Sequence, residues 1–197
     1  FQQNLFSADT MMNIRPFFEH LNVDHIHELA TKSLLKNVIK TYQLPIFGIH
    51  GVSHWARVLE NGMRLATVTG ANIKVVILFA IFHDSKRQNE ANDKGHGRRG
   101  AQLASELQTN WLNISKLEFA LLKEACELHT DGLTDGEVTL QTCWDSDRLD
   151  LNRVGIRTDP EQLCTQAAKD PSVIKWAMER ASSETVPDFV RSIWDFA

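Results

Sequence analysis

The sequence predicts an all-α protein, a single-domain helical bundle. Almost every long segment repeats its apolar residues at intervals of three and four, which is the period of an amphipathic helix. No stretch keeps the strict alternation of apolar and polar residues that is typical of a half-buried strand. With 197 residues, 43% of them hydrophobic and 23% charged, the chain is long enough to bury one sizeable core.

Helix starts and stops divide the chain into nine predicted helices. Ser115 followed by Glu118 is a capping-box pair, in which each residue satisfies a free backbone N–H group at the start of a helix. Residues 1–22 have weaker periodicity and are predicted to form an arm or a peripheral helix, with the main domain over 23–197. The predicted helices span 24–42, 52–69, 72–84, 96–109, 115–129, 136–155, 160–168, 171–182 and 186–196.

Charge and cysteine content argue against several classes of function. The net charge is −4 and the basic residues are scattered, so we expect neither nucleic acid nor an anionic membrane as a partner. The most apolar run, 73–82, is much shorter than the roughly 20 residues of a transmembrane helix. Three widely spaced cysteines without a CxxC pair favour a reducing compartment, so we expect a cytoplasmic protein.

Histidine and aspartate residues stand at helix ends or on apolar helix faces in the middle of the chain. The run 73–82 is apolar on all sides and should be the central helix, yet a His-Asp pair and the polar loop 85–95 follow it directly. A buried carboxylate beside a buried imidazole needs a positive partner, which a divalent cation can supply. One such residue is more often an ordinary hydrogen-bonded core residue, but here seven coincide: His50, His54, His83, Asp84, His96, His129 and Asp147.

Helical phase distinguishes three aspartates that lie close together in the chain. Leu140, Trp144 and Asp147 follow steps of four and three, which places them on one core-facing stripe. Each residue of a helix advances about 100°, so Asp145 lies about 200° from Asp147 and is predicted to face outward. Asp150 lies near the edge of the stripe, where it could pair with an arginine or hydrogen-bond a metal-binding histidine.

Three segments together resemble the H…HD…D signature of the HD superfamily of metal-dependent phosphohydrolases. They are His54-Trp55-Ala56-Arg57-Val58, His83-Asp84 and Asp147-Arg148-Leu149-Asp150. The resemblance covers about residues 50–156 and implies a helical bundle of the HD-domain type. It also implies that His54, His83, Asp84 and Asp147 bind a divalent cation. Imidazole and carboxylate ligands suit Mn²⁺, Fe²⁺, Co²⁺, Ni²⁺, Zn²⁺ or Mg²⁺, and the sequence does not select one.

The resemblance further implies hydrolysis of a phosphate ester by metal-activated water, with Asp84, His96 and His129 as the catalytic residues. The substrate would be a small phosphorylated molecule, with a nucleotide as one candidate. Histidines 96 and 129 stand where binuclear members carry additional ligands, although a His-His pair and a Gly-Tyr-Pro stretch of that pattern are absent. We therefore expect one tightly bound metal ion, with a second ion as the alternative. The two histidines could instead contact phosphate or act as a general acid.

Arg87, Arg98 and His50 are the predicted substrate-binding residues. Guanidinium groups bind phosphate oxygens in a bidentate manner, and both arginines closely follow a histidine of the set. The alternative is that these arginines are ordinary surface charges. His50 lies four residues before His54, a spacing that lets two histidines share a metal, but neighbouring glycines place it ahead of the helix. We expect it to line the pocket or to support a ligand.

Two other functions fit the same residues. One is a metal-binding or nucleotide-binding sensor that keeps the fold without turnover, although no residue of the expected catalytic set is missing. The other is an HD-type di-iron oxygenase, which would consume oxygen in the presence of Fe²⁺.

Overall fold

The computed structural model describes residues 28–194, and none of these residues lies in a strand. The prediction of an all-α fold is confirmed for this part of the chain. Its α-helices are α1 (Lys32–Ile39), α2 (Val52–Thr69), α3 (Ile73–Phe82), α4 (His96–Trp111), α5 (Lys116–Leu128), α6 (Val138–Arg148), α7 (Gln166–Lys169), α8 (Pro171–Ser182) and α9 (Asp188–Trp194).

Most predicted helices agree with these bounds within a few residues, and three do not. The start of the predicted helix 24–42 lies outside the described residues, and α1 covers only Lys32–Ile39 of it. The predicted helix 136–155 stops at Arg148, and a separate 3-10 turn covers Leu151–Val154. The predicted helix 160–168 is a 3-10 turn, Pro160–Gln162, followed by the short α7. The predicted arm at 1–22 lies outside the described residues.

Helix α3 forms the centre of the bundle. It begins at Asn72, whose side chain accepts hydrogen bonds from the backbone N–H groups of Lys74 and Val75. Every residue from Val75 to Phe82 is buried, because helices α1, α2, α4, α5 and α6 all contact α3. The His-Asp pair that follows Phe82 is therefore also inside the protein.

Two apolar clusters stabilise the bundle. The larger one surrounds α3 and includes the fully buried rings of Trp55, Phe79, Phe82 and Trp144. The smaller one joins the end of α2 to α7 and α8 through residues such as Leu65. Over residues 28–194, no helix is both long enough and apolar enough to cross a membrane.

Two glycines of α4 allow this helix to approach its neighbours at backbone distance. A Cβ atom at Gly100 would overlap the carbonyl oxygen of Phe82, at the end of α3. A Cβ atom at Gly97 would overlap the carbonyl oxygen of Cys126, in the last turn of α5. These contacts bring the start of α4 against the ends of α3 and α5, where the histidines of all three elements lie.

Replacement of Gly100 with alanine is expected to lower the free energy of unfolding by about 1–3 kcal/mol, because α4 must move away from α3. Chemical denaturation with a chelator present measures this change without a metal contribution. Gln102→Ala, at an exposed position of the same helix, is the control and should stay within about 0.5 kcal/mol of the wild type. Equal stability of the Gly100→Ala variant and the wild type would contradict the close approach of the two helices.

Candidate metal centre

Five histidines and three aspartates meet where the C-terminal end of α3 faces the first turns of α2 and α4 and the ends of α5 and α6. Each of these histidines is at most 8% exposed. Five helices and the turns that flank them supply the side chains, so the cluster depends on the tertiary fold rather than on one local motif. The residues are His50, His54, His83, Asp84, His96, His129, Asp147 and Asp150.

Asp84 lies between two pairs of histidines. Its Oδ2 atom is 3.6 Å from His54 Nε2 and 3.9 Å from His83 Nε2. Its Oδ1 atom is 3.0 Å from His96 Nε2 and 3.7 Å from His129 Nε2. The two Nε2 atoms are 3.0 Å apart in the first pair and 2.9 Å apart in the second. One carboxylate therefore belongs to two groups of metal-ligand type, which share it.

The other ring nitrogen of these four histidines, Nδ1, donates a hydrogen bond. In three of them the acceptor is a backbone carbonyl three or four residues earlier, at 3.1 Å for His83, 2.6 Å for His96 and 2.7 Å for His129. In His54 it is the Oδ2 atom of Asp150, at 2.7 Å. Since a carbonyl can only accept, Nδ1 carries the proton in the neutral ring and Nε2 keeps its lone pair.

The cluster therefore brings lone pairs and negative charge together in a buried space. Two unprotonated Nε2 atoms cannot hydrogen-bond each other, and the carboxylates of Asp84 and Asp147 add negative charge beside them. Asp147 Oδ1 is 3.3 Å from His54 Nε2 and 3.9 Å from His83 Nε2. Burial lowers the pKa of His83 to about 3, so this ring is neutral at physiological pH. A cation between the rings would remove the conflict.

Asp150 fixes the ring of His54 and is itself held by an arginine. Arg57 donates from Nε to Asp150 Oδ1 at 2.7 Å and from its terminal NH2 nitrogen to Oδ2 at 3.0 Å, a bidentate pair. Burial opposes ionisation, but the hydrogen bonds from His54 and Arg57 lower the pKa of Asp150 below its usual value. The sequence predicted an arginine or a histidine as the partner of Asp150, and this residue binds both.

The prediction that Asp145 faces outward is wrong. Its side chain is completely buried and accepts hydrogen bonds from Cys164 N at 2.6 Å, Thr165 N at 2.8 Å and Thr165 Oγ1 at 2.7 Å. The phase argument assumed one buried face, whereas the segment 163–165 covers the opposite side of α6. Asp147 itself faces the histidines, as its phase predicted.

His50 lies ahead of α2, as predicted, and contacts the cluster through a carboxylate. Its Nδ1 atom is 2.9 Å from Asp84 Oδ2, and its Nε2 atom is 3.9 Å from Glu90 Oε2. Arg153 approaches the same ring, with its NH2 nitrogen 3.3 Å from Nδ1. His50 thus links the buried cluster to the loop after α3.

The two arginines predicted to bind substrate have different positions. Arg87 is 7% exposed, and its NH1 nitrogen is 3.4 Å from Asp84 Oδ1. Arg98 is exposed on α4 and forms no hydrogen bond or ion pair with the cluster within the described range. Its neighbour Arg99 instead binds both carboxylate oxygens of Asp93, at 2.7 and 2.6 Å. A role for Arg98 stays a prediction.

Sequence reasoning gave no role to Arg57, Tyr42 or Glu90. Tyr42 Oη and Glu90 Oε2 are buried without a hydrogen-bond partner among residues 28–194. Burial, together with the charges of Glu90 and Asp84, raises the pKa of Tyr42 above its usual value. Arg57 lies one helical turn after His54, which is a local signal, whereas Tyr42 and Glu90 reach the site only through long-range folding.

Comparison with known proteins identifies the fold. The sequence matches no family model and no curated protein. Its structure matches the crystal structure of a predicted HD superfamily hydrolase from an uncultured Thermotogales bacterium. The match has a TM-score of 0.58 and 23% sequence identity, and covers 87% of this chain and 94% of that chain. The protein therefore has the HD-domain fold that the sequence resemblance implied, with a buried His/Asp cluster inside it.

Asparagine at positions 145 and 147 is expected to separate stability from metal binding. Asp145→Asn weakens three buried hydrogen bonds and should cost about 1–3 kcal/mol of unfolding free energy, with metal content near normal. Asp147→Asn removes negative charge beside two histidines and should abolish most metal binding. Denaturation with chelator present and elemental analysis measure the two effects. Loss of metal at position 145, with position 147 dispensable, would contradict this assignment.

Proposed function

We propose that this protein is a metal-dependent phosphohydrolase that cleaves a phosphate ester of a small phosphorylated molecule with water. The observation that supports this best is the position of Asp84, whose two oxygens each contact a pair of histidines with lone pairs directed inward. Such a buried arrangement is costly without a cation, because unpaired lone pairs and negative charge are desolvated together. The residues therefore fit a divalent metal ion.

The donor set indicates which residues would hold the ion. His54, His83, Asp84 and Asp147 form a group with two carboxylates, and the shared Asp84 with His96 and His129 forms a second group. Imidazole and carboxylate donors suit Mn²⁺, Fe²⁺, Co²⁺, Ni²⁺ or Zn²⁺. When bound, such an ion supplies a positive charge that acidifies water and offsets negative charge on phosphoryl oxygens.

The other residues around the cluster would position the ligands and the substrate. The Asp150–Arg57 pair holds His54 in one orientation and tautomer, as second-layer carboxylates do at metal sites. Arg87 is close enough to Asp84 to donate to a phosphate oxygen placed at the cluster. His50 would contact the substrate or a water between Asp84 and Glu90.

His96 and His129 are better suited to hold an ion than to act as a general acid. Each already donates its Nδ1 proton to a backbone carbonyl, and each directs Nε2 towards Asp84. A general acid needs a proton that it can deliver to the leaving oxygen. With an ion held at Nε2, each ring would keep only the Nδ1 proton that its backbone carbonyl already accepts.

The loop before His50 supports an organic substrate. Ile46, Phe47 and Ile49 are 40%, 70% and 44% exposed, although all three are apolar. Backbone hydrogen bonds within this loop, from Gly48 to Pro45 and from Val52 to Ile46, fix its shape. An apolar surface beside a phosphate site favours a substrate with an apolar or aromatic group, and a nucleotide has both a phosphate and an aromatic base.

Removal and return of metal tests the proposed reaction. The chelated protein should be inactive on all phosphate esters, and Mn²⁺, Co²⁺ or Ni²⁺ should restore turnover on at least one. Product release is measured over nucleotides, cyclic nucleotides and sugar phosphates, with Asp147→Asn as the inactive control. No product from a metal-loaded protein would indicate a binding protein without turnover. Oxygen uptake with Fe²⁺ would instead indicate an oxygenase.

His54→Ala and His50→Ala should differ in metal content. His54→Ala removes a ring that faces His83 and both carboxylates of the first group, so metal and activity should be lost together. His50→Ala removes a ring that contacts only one carboxylate of that group, so metal should remain while kcat falls or KM rises. Elemental analysis and steady-state kinetics measure both. Equal metal loss would make His50 a ligand.

A further inference from the structure

The guanidinium group of Arg87 contacts the same two atoms that an ion in the second histidine group would need. Its NH1 nitrogen is 3.4 Å from Asp84 Oδ1 and 3.3 Å from His96 Nε2. Those two atoms are themselves only 3.0 Å apart. Arg87 therefore already supplies positive charge and an N–H donor to the lone pair of His96 and to the nearer oxygen of Asp84.

This guanidinium group is fixed rather than placed by chance. Its Nε atom donates to Asn89 O at 3.4 Å and its NH2 nitrogen donates to Ala91 O at 2.7 Å, so the loop after α3 wraps around it. Asp93 and Arg99 close the same loop by a two-oxygen ion pair. Arg87 is 7% exposed, so water can surround its guanidinium group only if this loop opens.

The first histidine group has a different electrostatic environment. Within residues 28–194, the ion pairs of Asp147 are formed with His54 and His83 alone. The first group therefore has two carboxylates available to a divalent ion. The second group has one oxygen of the shared carboxylate, and an arginine already lies against it. Like charges in one buried site repel, so the two groups cannot bind a cation equally well.

We propose that Arg87 acts as a built-in cation that makes the second group, Asp84, His96 and His129, a weak metal site. The chain then binds one divalent ion tightly in the first group and a second ion only weakly. This inference rests on the proposed metal centre and adds which residue sets the number of ions. Arg87 is a specificity-determining residue for metal, in addition to any contact with phosphate.

Calorimetric titration of the metal-stripped full chain with Mn²⁺ tests the proposal. The wild type should bind one ion tightly and a second at least about tenfold more weakly, and Arg87→Gln should tighten the second ion by about tenfold or more without changing the first. Arg87→Lys keeps a positive charge and should keep the second site weak. Arg99→Gln is the matched control, because it removes a nearby positive charge while the hydrogen bonds from Arg87 to Asn89 O and Ala91 O remain, and both affinities should stay near those of the wild type.

The following results would overturn the proposal. A wild type that binds two ions with equal affinity would contradict it without any variant. So would an Arg87→Gln protein whose second ion is unchanged or weaker, or an Arg99→Gln protein whose second ion is tightened as much. Arg87→Met replaces Arg87→Gln if thermal unfolding shows that the latter does not fold. A wild type that binds no ion would instead overturn the metal centre itself, and the two failures are thus distinguishable.

Discussion

Asp84 places a carboxylate that is only 2% exposed at the end of a helix whose last eight residues are all buried. A charge in such a position needs partners on every side, because water cannot reach it. Helices α2, α4 and α5 each contribute a histidine to those partners, and the loop after α3 contributes an arginine. Helix α4 crosses the end of α3 closely at Gly100. This close crossing supplies one of the partners, because it brings His96 Nε2 within 3.0 Å of the Asp84 carboxylate.

Backbone carbonyl groups orient most of the histidines that surround Asp84. Carbonyl groups in the turns before His83, His96 and His129 accept the Nδ1 proton, so the local helix geometry decides which nitrogen faces the cluster. His54 has no such carbonyl, and Asp150 takes its place with support from Arg57. The Nε2 atoms are therefore already oriented towards the cluster, and an ion that bound them would also stabilise the packing of the helices that carry them.

Most of the fold could be predicted from apolar periodicity, because the main helices bury a face that repeats with the helical period. The errors lie where that assumption fails. Helix α6 is covered on two sides, so Asp145 is buried although it points away from Asp147. The apolar run 73–82 located His83 and Asp84, and helical phase located Asp147, but neither pattern can indicate that Tyr42 or Glu90 lies nearby. Those contacts depend on how distant segments meet.

The number of metal ions, too, could not be predicted from the sequence. Motif fragments at His96 and His129 suggested a second ion, and the absence of other parts of the binuclear pattern suggested a single one. The distances alone would favour two ions, since the Nε2 atoms of both histidine pairs lie at similar distances from the Asp84 oxygens. Charge changes the balance, because the guanidinium group of Arg87 lies on the second pair and Asp147 lies on the first. Two sets of donors with similar geometry can therefore have very different affinities, and a residue three positions after Asp84 decides between them.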